Sequence, residues 1–455
     1  MPRNLSAFIF ATLALSFAKP GPVLAQTPAA VANTLVNPVP EVSTAVVPGN
    51  SDTTVTPDQN RLDIAGGQAS GGPDPSLIHQ FQQFDLGETD IANFIVGPDI
   101  DNVVALIRSL SASQIDGLLT LTSSNPDLDA TANLILVNPA GIVFGENATL
   151  QLPGDLTATT ASGLLFDDAL LSLDGSVALT DGTAADISDL GGDVTGYWLL
   201  SSASMNQGRI ENRGSLAVSA GQAITLVGEY VQNDGSLNAP EGEINLVAVP
   251  GDNLVRLSRP GGILSLELTS VANLTQAGDG GVATLTSDGI ASALTGGEGQ
   301  GATQMQQTDD GAPELVGSTI SYTDPGTVLV RGDVNASSSS SSTSGSVNIL
   351  GEQIAVVGST VSADGVDRGG TLSIGGSPSG FSASSVYVDR SSTLSADGLS
   401  GSGGIISIWA LDLVQFYGVA TADGVSPLED GPITIESGNI LDIRQPAGAA
   451  GSSSN

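Results

Sequence analysis

Cysteine is absent from the 455-residue sequence, and histidine occurs once, at His79. The first absence excludes disulfides and thiolate metal sites. The second excludes His-cluster zinc sites and makes any Ser-His-Asp triad depend on one residue. Aromatic residues make up only 4% of the chain, and 12 Lys and Arg stand against 48 Asp and Glu, a formal net charge of −36. Such a chain is repelled by nucleic acid and by anionic lipid surfaces. The same acidity keeps an extended, exported protein soluble and attracts divalent cations. Beyond the N-terminus no apolar run approaches the about 20 residues of a membrane-spanning helix.

What the chain has is turn and strand chemistry. It holds 58 Gly and 23 Pro, and its apolar residues are mostly Val, Ile, Leu and Ala beside abundant Ser, Thr and Asn. β-Branched residues suit pleated surfaces, and Gly, Asn and Asp suit turns, so the fold class is all-β. The first residues read "MPRNLSAFIFATLALSFAKPGPVLAQT", with Arg3, an apolar stretch from Leu5 to Phe17, and Val23-Leu24-Ala25 before Gln26. This is a signal peptide of residues 1–25, cleaved between Ala25 and Gln26. Removing Arg3 and Lys19 takes the net charge from −36 to −38. Residues 26–60, rich in Pro and Thr without periodicity, read as a disordered lead-in.

The second half repeats itself. "TVSADGVDRGGTLSIGG" from Thr360 returns as "TLSADGLSGSGGIISIWA" from Thr393 and as "VATADGVSPLEDGPITIES" from Val419. A weaker copy starts at Asp333, and the same grammar occurs from Gly214 and Gly235. Each unit is too small to bury its own apolar face, so stacked units form a parallel solenoid, a β-helix. The alternating pairs Leu372 and Ile374, Ile406 and Ile408, Ile433 and Ile435, and Ile244 and Leu246 point inward, and the Ser, Thr and Asn between them face water. An antiparallel sandwich also has short strands, but the recurring strand–Ala-Asp-Gly–strand unit favours the solenoid. A Gly/Gln-rich linker (291–316) separates an N-terminal domain (61–290) from β-helix repeats (317–445), and 446–455 read as a disordered tail.

One stretch is the most ordered-looking: "NLILVNPAGIVFGENATL", Asn133 to Leu150. Pro139 fixes φ at the first central position of a turn, Asn138 caps through its side chain, and Gly141 allows a positive φ before Ile142 resumes a strand. From composition it is an uncharged tight corner between buried strands. The stretch, with "LTATTASGLLF" after it, closely resembles the secretion domain of filamentous haemagglutinin-like exoproteins of two-partner secretion systems. "HQFQQFDLGETDIANFIV" (His79–Val96) resembles that family's Phe-x-x-Phe segment, and "SQIDGLL" (Ser113–Leu119) its I-x-G-x-I/L segment. The similarity runs from about Arg61 to Leu266. Asn138, Pro139, Gly141 and Ile142 match the family's Asn-Pro-Asn-Gly-Ile/Leu core. Ala140 departs from it, which implies a weaker turn. "SNPDLDA" from Ser124 is an imperfect counterpart of the family's Asn-Pro-Asn-Leu motif, with Asp127 in place of Asn.

The resemblance implies a right-handed parallel β-helix with short extra-helical β-hairpins in the secretion domain. It implies export by the Sec machinery, an unfolded passage through the periplasm, and recognition by an outer-membrane β-barrel transporter with periplasmic POTRA domains. The protein is then secreted, extracellular or on the outer surface of a Gram-negative cell. On this reading it is a non-enzymatic adhesin or released binding protein for a carbohydrate or a host or cell-surface ligand, with no catalytic residues, metal or cofactor and no membrane insertion of its own. The alternative is a β-helical polysaccharide-active enzyme, which needs two carboxylates about 5 to 10 Å apart. Asp364, Asp397 and Asp423 could align as a carboxylate row or a calcium ladder, but turn chemistry explains them more simply. The calcium-binding Gly-Gly-x-Gly-x-Asp pattern is absent. His79 is a satisfied core or surface histidine, Trp198 and Trp409 pack against coils, and Arg331-Gly332-Asp333 is an integrin-type tripeptide flanked by strands.

Overall fold

The computed structural model describes residues 44–444, except 73, 168, 180–182, 201–207, 259–264, 271–303, 308–312, 317–323, 341–343 and 379. The expected signal peptide, most of the lead-in and the C-terminal tail lie outside the described residues.

The chain winds into stacked coils, each contributing up to three short strands to three faces. Face A holds, among others, Asn102–Ile107, Asn133–Val137, Leu156–Thr159, Ala223–Gly228, Glu243–Ala248 and Ser346–Gly351, each paired in parallel with the one before. Face B holds Ser113–Ile115, Ile142–Phe144, Arg209–Asn212, Tyr230–Asn233 and Thr327–Val330, also in parallel register. Face C begins as Arg61–Gly66, Ile91–Val96, Leu118–Ser123 and Thr149–Gln151, and resumes from Ser215–Ala217 to Val419–Thr421. This is an all-β, β-helix-like solenoid.

Register follows from alternation, because side chains on a strand point in and out by turns. One inward column runs Leu134, Leu156, Ile224, Ile244, Val347, Leu372, Ile406 and Ile433. Leu372, Ile374, Ile406, Ile408, Ile244 and Leu246 are all fully buried. Ile433 ends the column and is 41% exposed, with no further coil stacked on it among the described residues. The polar residues between them differ from expectation. Asn245, Asn348 and Ser373 are buried rather than solvated. Asn348 Nδ2 donates to Asn245 Oδ1 (3.0 Å), and Asn245 Nδ2 donates to the Thr225 hydroxyl (3.1 Å). A side-chain ladder thus satisfies outward polar groups that water does not reach.

Corners demand glycine where coils stack closely. A Cβ on Gly235 would lie 2.1 Å from the Gly214 carbonyl oxygen, and one on Gly332 only 1.7 Å from that of Gly235. The Ala-Asp-Gly turns are tied by carboxylates. Asp364 Oδ1 accepts from the Asp397 amide (2.8 Å), and Asp397 Oδ1 accepts from the Asp423 amide (2.7 Å). These aspartates are turn caps acting between coils.

Two findings correct the expected boundaries. Strands Ala45–Pro48 and Thr53–Asp58 fall inside the supposed lead-in; the first pairs antiparallel with Phe81–Asp85, the second with Arg61–Gly66. Together they close the N-terminal end of the core. Nor do the described residues separate a secretion domain from later repeats. Glu243–Ala248 pairs directly with Ser346–Gly351 and Tyr230–Asn233 with Thr327–Val330, so the stretch between Ala248 and Thr327 is an insertion within a single coil. Gln304–Gln307 and Pro313–Val316, inside the expected linker, form an antiparallel pair.

A second antiparallel sheet, including Gly163–Phe166, Ala169–Ser172, Val194–Leu199 and Asn253–Ser258, stands outside the coils. Its Leu164, Phe166 and Leu171 share an apolar cluster with Ile78, Val104, Leu106, Ile135 and Val137 on the outer side of face A. That explains why strands such as Asn102–Ile107 are apolar on both sides.

Mid-stack burial separates strongly from end burial. Leu246→Ala should lower unfolding free energy by about 2–5 kcal/mol, whereas Ile433→Ala should cost about 1 kcal/mol or less. Chemical denaturation midpoints of the two variants check this; equal losses would contradict the stacking order.

Candidate functional site

The Asn138–Ile142 turn is the corner between face A strand Asn133–Val137 and face B strand Ile142–Phe144. Its own hydrogen bonds define it: the Gly141 amide donates to the Asn138 carbonyl (2.9 Å). The Ala140 amide donates to Asn138 Oδ1 (3.0 Å). Asn138 Nδ2 reaches back one coil, to the Ser113 hydroxyl (3.0 Å) and the Ser111 carbonyl (3.3 Å). The main chain ties it to both neighbours. Ser113 N–H donates to the Gly141 carbonyl, and Gly208 N–H in the coil above donates to the Pro139 carbonyl, each at 3.0 Å.

Gly141 has φ +120°, and a Cβ there would meet the Arg209 carbonyl oxygen at 2.9 Å and Ala112 Cβ at 3.1 Å. Most of the corner is shielded from solvent: Asn138 and Ile142 are fully buried and Ala140 is 6% exposed, while Pro139 is half-buried. The second motif differs. Asn125 Oδ1 accepts from the Asp127 amide (3.1 Å) in a surface turn, and Leu128 is half exposed. Asp116, within "SQIDGLL", caps the next coil, accepting from the Asn147 amide (2.9 Å) and Asn147 Nδ2 (3.1 Å).

Phe81 and Phe84 are fully buried, 5.2 Å apart edge to face, and Phe84 stacks on Phe94 at 6.1 Å. His79 joins this cluster, 5.8 Å from Phe94, fully buried. It is a core histidine but not a satisfied one, since neither ring nitrogen has a hydrogen-bond partner. Burial alone drives its pKa from 6.5 down to about 4.

Trp198 lies half-buried in the outer sheet, and Trp409 Nε1 donates to the Ser382 hydroxyl (3.0 Å). Arg331 is engaged bidentately by Asp234, with Nε to Oδ1 at 2.7 Å, so the Arg-Gly-Asp tripeptide is part of a stacked corner. Arg331 also borders an open hollow on face B with Arg209, Arg213, Glu211, Gln232 and Asp234. Its arginines pair with its carboxylates: Arg213 Nε lies 2.7 Å from Glu211. Among the described residues, no group of three or more His, Asp or Glu stands together as metal ligands.

Sequence reasoning missed a buried polar pair. Asn212 and Asn233 replace apolar residues in the face B column between Phe144 and Val330, both fully buried. Asn212 Nδ2 donates to Asn233 Oδ1 (2.7 Å), and its Oδ1 accepts from the Gly214 amide (3.0 Å). The signal was present in "ENRGSL" and "QNDGSL", which place Asn two residues before each corner glycine.

His79 gives a pH signature with a definite sign. Its folded pKa lies below the unfolded value, so protonation favours the unfolded chain, and stability falls as pH drops from 6.5 toward about 4. The loss attributable to this residue should total on the order of 3 kcal/mol. Denaturation midpoints across that range should fall more steeply for wild type than for His79→Phe; parallel curves would contradict the assignment.

No curated protein matches. Among solved structures, the HMW1 secretion domain from Haemophilus influenzae is similar at 16% identity, covering 89% of this chain and 98% of that one, with a TM-score of 0.43. The family model described as the TPS secretion domain matches residues 43–291. Its start coincides with the first described strand rather than with residue 61. Covering more than half of the sequence and every segment of the buried corner, that match means the chain belongs to the TPS secretion domain family, the exported partner of two-partner secretion.

Proposed function

We propose that this protein is a non-enzymatic exoprotein, an adhesin or released binding protein, exported through an outer-membrane β-barrel transporter with periplasmic POTRA domains. The family match over residues 43–291 carries the reading. In it, Sec delivers the chain, cleavage between Ala25 and Gln26 frees it, and the transporter receives it unfolded. A right-handed β-helix then grows outside the cell from the capped N-terminal end.

The burial of the Asn138–Ile142 corner supports this order of events. In the folded solenoid Asn138 is fully buried and Pro139, half-buried, is tied to the coil above, so a partner reaches little of the motif. A transporter that reads it must do so before the coil formed by Arg209–Asn212 closes over it. Within the aligned aspartate row, Asp364 and Asp397 are committed to backbone amides, which favours turn caps over a catalytic carboxylate pair there.

Secretion tests the proposal. With a partner transporter co-expressed, wild type should reach the medium, while Asn138→Ala and a Pro139→Ala, Gly141→Ala double variant should be retained or degraded at least tenfold more. Equal secretion of all three, or secretion without any transporter, would contradict it.

A further inference from the structure

The insertion between Ala248 and Thr327 leaves and re-enters one coil, and its two roots meet at a glutamic acid. At the re-entry the chain reads Asp324-Pro325-Gly326, directly before strand Thr327–Val330. Gly326 is buried with φ +85°, and a Cβ there would meet Glu352 Cβ at 3.0 Å, its Oε2 at 3.2 Å and Pro250 Cδ at 3.0 Å. Glu352 therefore lies, half-buried, at the meeting of both roots. Gly326 is held from both neighbouring coils: its amide donates to the Glu229 carbonyl (2.6 Å), and its carbonyl accepts from the Gln353 amide (3.2 Å). Asp324 and Pro325 themselves are exposed.

Aspartate before proline is a peptide linkage readily broken by acid, for two chemical reasons. The side-chain carboxylate reaches its own residue's carbonyl carbon, so the attack is intramolecular. The proline nitrogen, more basic than an ordinary amide nitrogen, leaves readily once it is protonated. Near neutral pH the missing part is a proton donor. Glu352 touches the residue next to that nitrogen, on the side of the bond that two coils hold still.

We propose that the folded chain cuts its own Asp324–Pro325 bond, with the Asp324 carboxylate as nucleophile and Glu352 as the acid that protonates the leaving nitrogen. An Asp324 side-chain oxygen attacks the carbonyl carbon of the same residue and forms a C–O bond, closing a cyclic anhydride. The bond from that carbon to the Pro325 nitrogen breaks, its electron pair stays on nitrogen, and the Glu352 proton goes there. Water then opens the exposed anhydride and leaves Asp324 as a C-terminal residue. Nothing is oxidised or reduced.

Burial first, and Asp324 second, push the Glu352 carboxyl up to about 7, so it keeps its proton in mildly acidic solution. The other groups that the described residues place against it are uncharged. These are Gly326 and Pro250, and Ser384 and Ser385 of the next coil, whose amides donate to its carbonyl (2.8 and 3.2 Å). The cut falls beyond residue 291, where the family match ends. It does not release the later coils, because Tyr230–Asn233 stays paired with Thr327–Val330 and Glu243–Ala248 with Ser346–Gly351. The product is a nicked solenoid whose insertion is rooted at one end only.

Signal-cleaved, folded chain incubated in mildly acidic buffer, then followed by denaturing electrophoresis and mass spectrometry, tests this. Two fragments should form, the second beginning at Pro325, at a rate that falls about tenfold per pH unit above 7. Asp324→Ala should abolish the cut, and Glu352→Gln should slow it about a hundredfold. The other described Asp-Pro bond, Asp74–Pro75, has exposed Asp101 near it in place of Glu352 and should stay intact over the same period. Should Glu352→Gln misfold, wild type in denaturant serves instead: unfolding removes the acid from the bond, so cutting should slow to the same degree. Wild type that stays whole would overturn the proposal. So would equal cutting at Asp74–Pro75, a Glu352→Gln variant cut as fast as wild type, or undiminished cutting of the denatured chain, each of which marks an ordinary labile bond.

Discussion

Each strand of the solenoid is hydrogen-bonded to the strand one coil earlier, and this parallel ladder is the constraint on which everything else rests. A strand in such a stack has no partner within its own coil, so no coil is stable alone. The first coil must be completed by something other than a coil. Here that is the antiparallel hairpin Thr53–Gly66 and the strand Ala45–Pro48, packed over Phe81, Phe84, Phe94 and His79. The cap thus holds the register of the first coil, and each later coil stacks in register on the one before it.

That dependence accounts for the position of the Asn138–Ile142 corner under the proposed export role. Asn138 spends its side chain on the coil before it and on its own turn, while Pro139 and Gly141 are held by the coils on either side. Apart from the turn's own two bonds, the corner is thus held by interactions that exist only when three successive coils are in place. In an unfolded chain the same residues are exposed and uncharged. A motif that is readable before folding and sealed afterwards suits a chain that must be recognised once and then released.

Much of this was legible in the sequence because solenoids write their register into alternation. Leu372 and Ile374, or Ile406 and Ile408, had to share a side, and the recurring Ala-Asp-Gly had to be a corner. The polar residues between them were harder, because alternation gives the side and not what covers it. Asn245 and Asn348 face outward as read, but are buried in their own ladder. The cap escaped notice since Thr53–Asp58 carries polar and proline residues and is a strand only through its partner. The continuity across the long insertion after Ala248 was equally invisible, because pairing between residues about a hundred positions apart leaves no local mark. His79 could be placed near aromatic residues, but its missing hydrogen bonds depend on neighbours from Gly67 and Phe94 that only the folded cap brings together.

The central claim is that folding seals the Asn138–Ile142 corner. Since the chain has no cysteine, Ala140→Cys introduces a single thiol at a position that is 6% exposed. Its labelling rate should be compared in the folded, secreted protein and in chain arrested during export. The account predicts labelling at least a hundredfold slower in the folded protein, with the arrested chain reacting as fast as a denatured one. Rapid labelling of the native protein would show the corner open to solvent and would contradict the account.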